Sequence, residues 1–441
     1  MKKISRDKLI FFGGSLLVFA VIQILISAGL LNPFWTTILR LGAVYAIVSL
    51  GLNLIYGFNG QFSLGQWGFY AIGAYTAADI TYRWTNQDST LGLTVILSVV
   101  LLTGVTILIL RRFLSRIRGL DALSAFAIYL IAVLGMAVAG IYLGVVIAPA
   151  LNAFFLALPP SISMGIIFLL SILLGGLVAA EISFLFGLPV LTLGSDYFGI
   201  ATLGFTIIVK VLLDNSDTLL GFEEMKGARG MLGIPKITTW FWAFLFLFLT
   251  VLILRNLLHS SYGRAIVSVR EDEIAAKAMG IDVGNYKTLA FVLGSLFAGI
   301  GGAIYAHING FLHPNTFNFI KSFDPMIIIV LGGLGSLTGT IITSFGWVLI
   351  LEGALRLILP EGFETWRYVV YPLILLLVML LRPKGIFGDY EMPFLRQELP
   401  PLYAGQNAGK AGSLEQVETL MNTGANPTGP GETPNPQEVV Q

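Results

Sequence analysis

A few short stretches carry the residue types from which a functional site could be built. The densest is REDEIAAKAMGID at 270–282, where five charges fall between Arg270 and Lys277 in a chain that is only 12% charged. Such a run can form a free-standing polar helix offered to a partner. A second stretch, GFNGQFSLGQWGF at 57–69, sets Gln61, Ser63 and Gly65 between two apolar runs, where polar side chains can hydrogen-bond a passing solute. A third, DYFGIATLGF at 196–205, holds Asp196, Tyr197 and Thr202, and a fourth, VLGGLGSLTG at 330–339, holds Gly332, Gly333, Gly335 and Ser336. The fourth superficially resembles a phosphate-cradling loop. A nucleotide fingerprint, however, lies between a strand and a helix of a soluble βαβ unit, and neither flanks it. No G-x-x-x-x-G-K-S/T occurs anywhere, so the chain cannot hydrolyse ATP by P-loop chemistry itself. His259, His307 and His313 are scattered, and cysteine is absent. There is no H-E-x-x-H, no nucleophile–base pair and no pair of carboxylates deep in an apolar run. Neither a catalytic site nor a metal site is expected.

The elements that must position these stretches are membrane helices. The chain has 441 residues, 56% of them hydrophobic, and a mean hydropathy of +0.84. A soluble domain carries about a quarter charged residues, so half of that, with apolar runs of about twenty residues, describes an integral membrane protein. A net charge of +1 gives no argument for nucleic acid. The basic, then apolar, N-terminus is too long for a signal-peptide core and lacks an A-x-A-like cleavage site, so it reads as a retained first helix.

Apolar segments bounded by charges, Pro or Gly place spans near 9–31, 34–56, 60–81, 91–110, 121–147, 163–186, 189–213, 238–258, 286–309, 323–337, 338–358 and 366–382. The tenth is too short to cross about 30 Å of hydrocarbon, and with the eleventh it reads as a broken pair around LGGLGSLTG. The expected fold is an all-α polytopic bundle of about 10–12 transmembrane helices, some broken or re-entrant, with a short helix in a cytoplasmic loop. With the N-terminus in the cytoplasm, the inner segments hold fifteen Lys and Arg against seven outside, which favours both termini inside. Trp35, Trp84, Trp240, Trp242 and Trp366 then fall near outer span ends. Residues 214–237 become a polar outer loop. Residues 1–387 form the membrane domain, and the Pro- and Gly-rich stretch 388–441 reads as a disordered cytoplasmic tail.

Within 268–282 the residues describe one short helix. Ser268 and Glu271 fit a capping box. Glu271, Asp272 and Glu273 suit the first turn, Glu273 and Lys277 form an i,i+4 pair, and Gly280 suits the end. Ile274, Ala278 and Ile281 fall on one side, while Ala275 and Ala276 keep the surface low. From these residues alone, docking into a partner's groove and a solvated connector on the membrane surface both stand. The 57–69 stretch likewise reads either as part of a solute pathway or as a turn with close helix packing. Asp196 is either a functional ionisable group within a span or a helix-start residue. Arg40, Glu181, Lys210, Glu352 and Arg356 lie near enough to span ends to snorkel, and His307 reads as a packed residue.

Ala275-Ala276-x-x-x-Gly280 resembles the coupling loop of bacterial ABC-importer permeases, with Ile274 where that motif has Glu and Glu273 one place earlier. Around it the chain resembles the LivM-type permeases of branched-chain amino-acid importers. The resemblance is carried by LNLIYGFNGQFSLGQWGFYAIGAYTAA (52–78), DYFGIATLGF (196–205), GRAIVSVREDEIAAKAMGID (263–282), FVLGSLFAGIGGAIYA (291–306), FDPMIIIVLGGLGSLTG (323–339) and RPKGIFG (382–388). These blocks run in order over about 34–80 and 161–388. The family resemblance implies a multi-pass permease subunit of the bacterial plasma (inner) membrane that binds no cofactor of its own. Its implied partners are two ABC ATPases carrying ATP-Mg, a homologous second permease and an extracytoplasmic substrate-binding protein. It makes 263–284 the coupling loop, with Arg270, Glu271, Asp272, Glu273, Ile274, Ala275, Ala276, Ala278, Gly280 and Asp282 as the ATPase contact. The implied substrates are branched-chain or other neutral amino acids; urea and short amides, carried by close relatives, are the alternative. An ATP-independent secondary transporter or channel is a further alternative, which would need an ion relay or open pore from spans with few central ionisable groups. Three features depart from the family pattern. Residues 91–157 read as two extra spans, Gly194-Ser195 replaces an Arg-Gly pair, and Thr206-Ile207-Ile208 stand where an acidic residue often follows.

Overall fold

The computed structural model describes residues 6–114, 122–192, 195–218, 223–354, 373, 376–377, 380–382, 385–388 and 390–395. In chain order the helices are α1 (Arg6–Ser27), α2 (Pro33–Leu52), α3 (Gln66–Gln87), α4 (Leu91–Leu114), α5 (Ala122–Leu156), α6 (Pro160–Val190) and α7 (Ser195–Asp214). They continue as α8 (Trp240–His259), α9 (Ser261–Glu271), α10 (Glu273–Ala278), α11 (Val283–Asn309), α12 (Phe323–Gly332) and α13 (Leu337–Val348). α2 runs on into a π-helical turn, Asn53–Phe58, and α13 into another, Leu349–Ala354. Two short strands, β1 (Met231–Leu232) and β2 (Phe311–Leu312), pair antiparallel. Among the described residues nine helices are long and apolar enough to cross a membrane. The chain is an all-α, polytopic membrane protein.

Burial divides the helices. α2 and α11 are mostly covered and form the middle of the bundle, with α3 and α6 packed along α11. α1 and α5 instead expose rows of Ile, Leu and Val, the surface expected against lipid tails. Small residues set how closely the central helices approach, as is usual where lipid removes the hydrophobic drive for association. A β-carbon on Gly294 of α11 would lie 2.6 Å from the Gly51 carbonyl of α2, and one on Gly299 would lie 2.7 Å from the Gly175 carbonyl of α6. Gly302 lies closer still to the backbone at Tyr70 of α3.

The connections define two ends. α9 and α10 join α8 to α11 at one end. The β1–β2 ladder joins the loops at the opposite ends of those same helices, and Arg83 ties the end of α3 to this second cluster through Glu224 at 3.2 Å. His307 is packed as expected: it is fully buried, 2.7 Å from Thr81 Oγ1 and 2.7 Å from the Ala303 carbonyl.

Two boundaries differ from the sequence reading. Residues 60–65 are not helical; Gly60 has φ +79°, and the segment is held by Leu64 N–H donating to Thr202 Oγ1 at 3.0 Å. The compact unit ends at Leu395 rather than at 387. Phe394 and Leu395 are buried there, Phe394 stacked on Phe11 at 4.3 Å with the Arg255 guanidinium 4.2 Å from its ring. Two large apolar side chains among prolines found a surface groove that composition does not reveal. The expectation for 396–441 lies outside the described residues, as does most of the span expected at 366–382. The region 91–157 contributes two helices, α4 and α5.

Candidate coupling element and translocation seam

The charged stretch is built from two helices, not one. Ser260 caps α9 by accepting from Gly263 N–H at 3.3 Å. The helix is therefore well under way before Ser268, whose hydroxyl donates to the Ala265 carbonyl at 2.8 Å and forms no capping box. The break comes at Asp272, which is extended at φ −159° and accepts from Ile274 N–H at 2.8 Å and Ala275 N–H at 3.0 Å. A carboxylate that takes two amides at a helix start outcompetes a neutral hydroxyl for the cap. α10 ends before Gly280, whose φ of +81° suits glycine. Asp282 then caps α11 by accepting from Asn285 N–H at 3.2 Å. Glu273 pairs with Lys287 of α11 rather than with Lys277.

The exposed face also differs from the expected one. Because α10 stops at Ala278, Ile281 does not extend the row begun by Ile274 and Ala278. Ile274 and Met279 are each 82% exposed, Ala275 and Ala278 are exposed, and only Ala276 turns inward, onto Val269 and Val283. The result is a capped knob with a low, partly apolar surface and charged flanks.

Arg270, in the last turn of α9, joins this knob to the bundle. Its guanidinium donates to the Gly57 carbonyl, in the π-helical turn after α2, at 2.5 Å. The stem lies over Gly60, where a β-carbon would sit 3.3 Å from Arg270 Cγ. The head also faces Gly335, where a β-carbon would sit 3.2 Å from Nη1. Beside Gly57, Asn53 clamps the break between α12 and α13. Its Oδ1 accepts from Gly335 N–H at 2.9 Å, and its Nδ2 donates to the Ser336 carbonyl and to Thr340 Oγ1, each at 2.9 Å. Gly333 and Gly335 hold positive φ, +110° and +85°, and Ser336 caps α13 by accepting from Gly339 N–H at 2.9 Å. Glu391 supplies a second cap, accepting from Leu337 N–H and, at 2.7 Å, from the Thr338 hydroxyl. Backbone groups freed by the break are thus satisfied by side chains. Three interrupted elements meet at one seam: the end of α2, the α12–α13 break and the end of α9.

A permease family model, described as the permease component of branched-chain amino acid transport systems, matches residues 34–120 and 118–379. This chain belongs to that family. The permease protein LivM of the high-affinity branched-chain amino acid transport system of Salmonella typhimurium is 28% identical over 83% of this chain and 72% of its own length. LivM of Escherichia coli K12 is 28% identical over 82% and 71%. BraD of Pseudomonas aeruginosa is 30% identical over 40% of the chain and 56% of its own length. No solved structure matches.

In this permease the residues expected along a pathway form two groups. Ser63, Gly65 and Thr202 come together: Gly65 N–H donates to Ser63 Oγ at 3.3 Å, and a β-carbon on Gly65 would lie 3.1 Å from Thr202 Cβ. Gln61, in the same non-helical stretch, is buried, and its Oε1 has no hydrogen-bond partner. Gly332, Gly333, Gly335 and Ser336 form the α12–α13 break, with Gly332 against Gly339. Tyr197 stands apart, 67% exposed on α7. Asp196 is the second residue of α7, and its side chain lies outside the described residues. Sequence reasoning missed Asn53 and Glu391. Asn53 carried a signal, an amide inside an apolar run; Glu391 lies in a stretch read as tail and carried none.

Proposed function

We propose that this chain is the membrane-spanning permease subunit of a binding-protein-dependent ABC importer. It moves branched-chain or other neutral amino acids inward, using ATP-Mg bound and hydrolysed by two separate ATPase subunits, and holds no cofactor itself. It sits in the bacterial plasma membrane with both termini in the cytoplasm, beside a homologous second permease. An extracytoplasmic binding protein delivers solute at the end that carries the β1–β2 ladder. The observation that supports this reading is the α9–α10 knob, which presents a low surface outward while Arg270 hydrogen-bonds into the seam. A pushed knob of this kind shifts the bundle between two populations, as coupling requires.

The test is uptake by proteoliposomes holding all the subunits. Leucine should accumulate uphill only with internal ATP and external binding protein. Uphill accumulation without nucleotide would overturn the reading in favour of a secondary transporter. Urea transported in preference to leucine would overturn the substrate class.

A further inference from the structure

A cavity at the end of the bundle opposite the knob is used by nothing above, and what it implies rests on the amino-acid importer reading. Its volume is about 240 Å³, lined by the first half of α2, the start of α3, the end of α11, the turn before α12 and the π-helical turn after α13. Sites for drug-sized ligands run from roughly 300 to 1,000 Å³, so this one suits a small solute.

Its wall is aromatic and braced. Trp67 and Tyr70 are buried and stacked with ring centroids 4.5 Å apart. Tyr45 lies 5.6 Å from Trp67, and Tyr305 lies 5.4 Å from Tyr70. The Trp67 indole N–H donates to the Thr316 carbonyl at 3.0 Å, which fixes the ring. Tyr70 Oη is buried without a hydrogen-bond partner, a hydroxyl that a bound polar group would satisfy. Opposite charges line the same small space. Lys321 enters from the turn before α12, and Glu352 from the turn after α13. Asp324 accepts from Lys321 Nζ at 3.2 Å and so holds it in place; an ammonium has three donors, which leaves capacity for a ligand.

An aromatic wall with a cation and an anion on one small cavity matches a zwitterion with an apolar side chain. We propose that this cavity is an amino-acid-binding station on the transport route. The substrate carboxylate turns toward Lys321, and its ammonium toward Glu352 and the ring faces. Its aliphatic chain lies on the Trp67–Tyr70 wall. A neutral amide carries neither charge, so the station selects amino acids over urea and short amides.

The experiment uses the full-length chain with its co-assembling subunits in lipid nanodiscs, with no binding protein present. Displacement of radiolabelled leucine is measured with leucine, with leucinamide (no carboxylate) and with 4-methylpentanoate (no ammonium). Each analogue should bind at least tenfold more weakly than leucine. Lys321→Met should bring leucinamide to within threefold of leucine while 4-methylpentanoate stays weak, and Glu352→Gln should do the reverse. A merely structural loss would weaken all three ligands together and leave their ratios unchanged. Equal affinities for the three ligands on the unaltered protein, or no leucine binding to it, would overturn the station even if Lys321→Met fails to fold. ATP-driven leucine uptake is scored separately, with the same subunits reconstituted in proteoliposomes and the binding protein supplied outside. Its presence with flat ligand ratios sinks the station alone. Its absence with the predicted ratios sinks the importer reading alone.

Discussion

Arg270 is the one described side chain that reaches from the knob into the seam, so removing its head should uncouple the two. Arg270→Met keeps the aliphatic stem over Gly60 and deletes the donor to the Gly57 carbonyl. A hydrogen bond to a charged group is worth about 1.5–3 kcal/mol, and because Arg270 is solvent-exposed the low end applies. About 1.4 kcal/mol is a factor of ten, so the knob's bias on the seam should fall roughly tenfold. The protein should still assemble, since the Glu273–Lys287 pair and the buried Val269 and Ala276 contacts remain. The assay is the ratio of leucine taken up to ATP hydrolysed in proteoliposomes with all subunits present. It should drop about tenfold, with co-purification of ATPase subunits unchanged. Gly335→Ala places a methyl 3.2 Å from the same guanidinium, so the double variant should lose less than the sum of the singles. An unchanged ratio in Arg270→Met, or strict additivity in the double, would refute the link.

Four other outcomes follow from the same geometry. Ala275→Arg, at an exposed position on the knob, should leave the protein in the membrane but abolish ATP-driven uptake and weaken ATPase co-purification, read by pull-down and transport. Asn53→Leu strips the Gly335 N–H of its acceptor; at about 1–3 kcal/mol for a buried orphan, it should lower the unfolding temperature in detergent by several degrees. Gly294→Val drives a side chain into the Gly51 carbonyl and Ile55, and should abolish folded protein as judged by size-exclusion profile, whereas Gly165→Val, with open space around it, should not. Truncation after 395 should leave thermal stability unchanged, while truncation after 389 removes the Glu391 cap and the buried Phe394 and Leu395 and should lower it measurably.

Local pattern decided much of this protein. Hydropathy over windows of about twenty residues is a one-dimensional property, and it was enough to place α1, α2, α4 and α8 and to set the fold class. The glycines at 332, 333 and 335 marked the α12–α13 break because positive φ is a local demand that few other residues meet. The blocks of family resemblance, too, are runs along the chain. Local pattern failed where two caps competed: Ser268 and Asp272 each suit a helix start, and only the packing of Ala265, Ile266 and Val269 against the bundle shows that α9 already runs through Ser268.

The rest was decided by residues that meet across the chain. Arg270 finds Gly57 across 213 positions, and Asn53 finds Gly335 across 282. Lys321 and Glu352 line one cavity with Trp67 and Tyr70 although no periodicity connects them. Such meetings depend on which helices touch and at what height. Those in turn follow from the close glycine contacts of α2, α3, α6 and α11, summed over the whole bundle rather than written in any one segment. A sequence read segment by segment thus determines that this is a permease with broken helices and a charged stretch between two spans. Only the packed bundle decides what the knob holds and where a solute can rest.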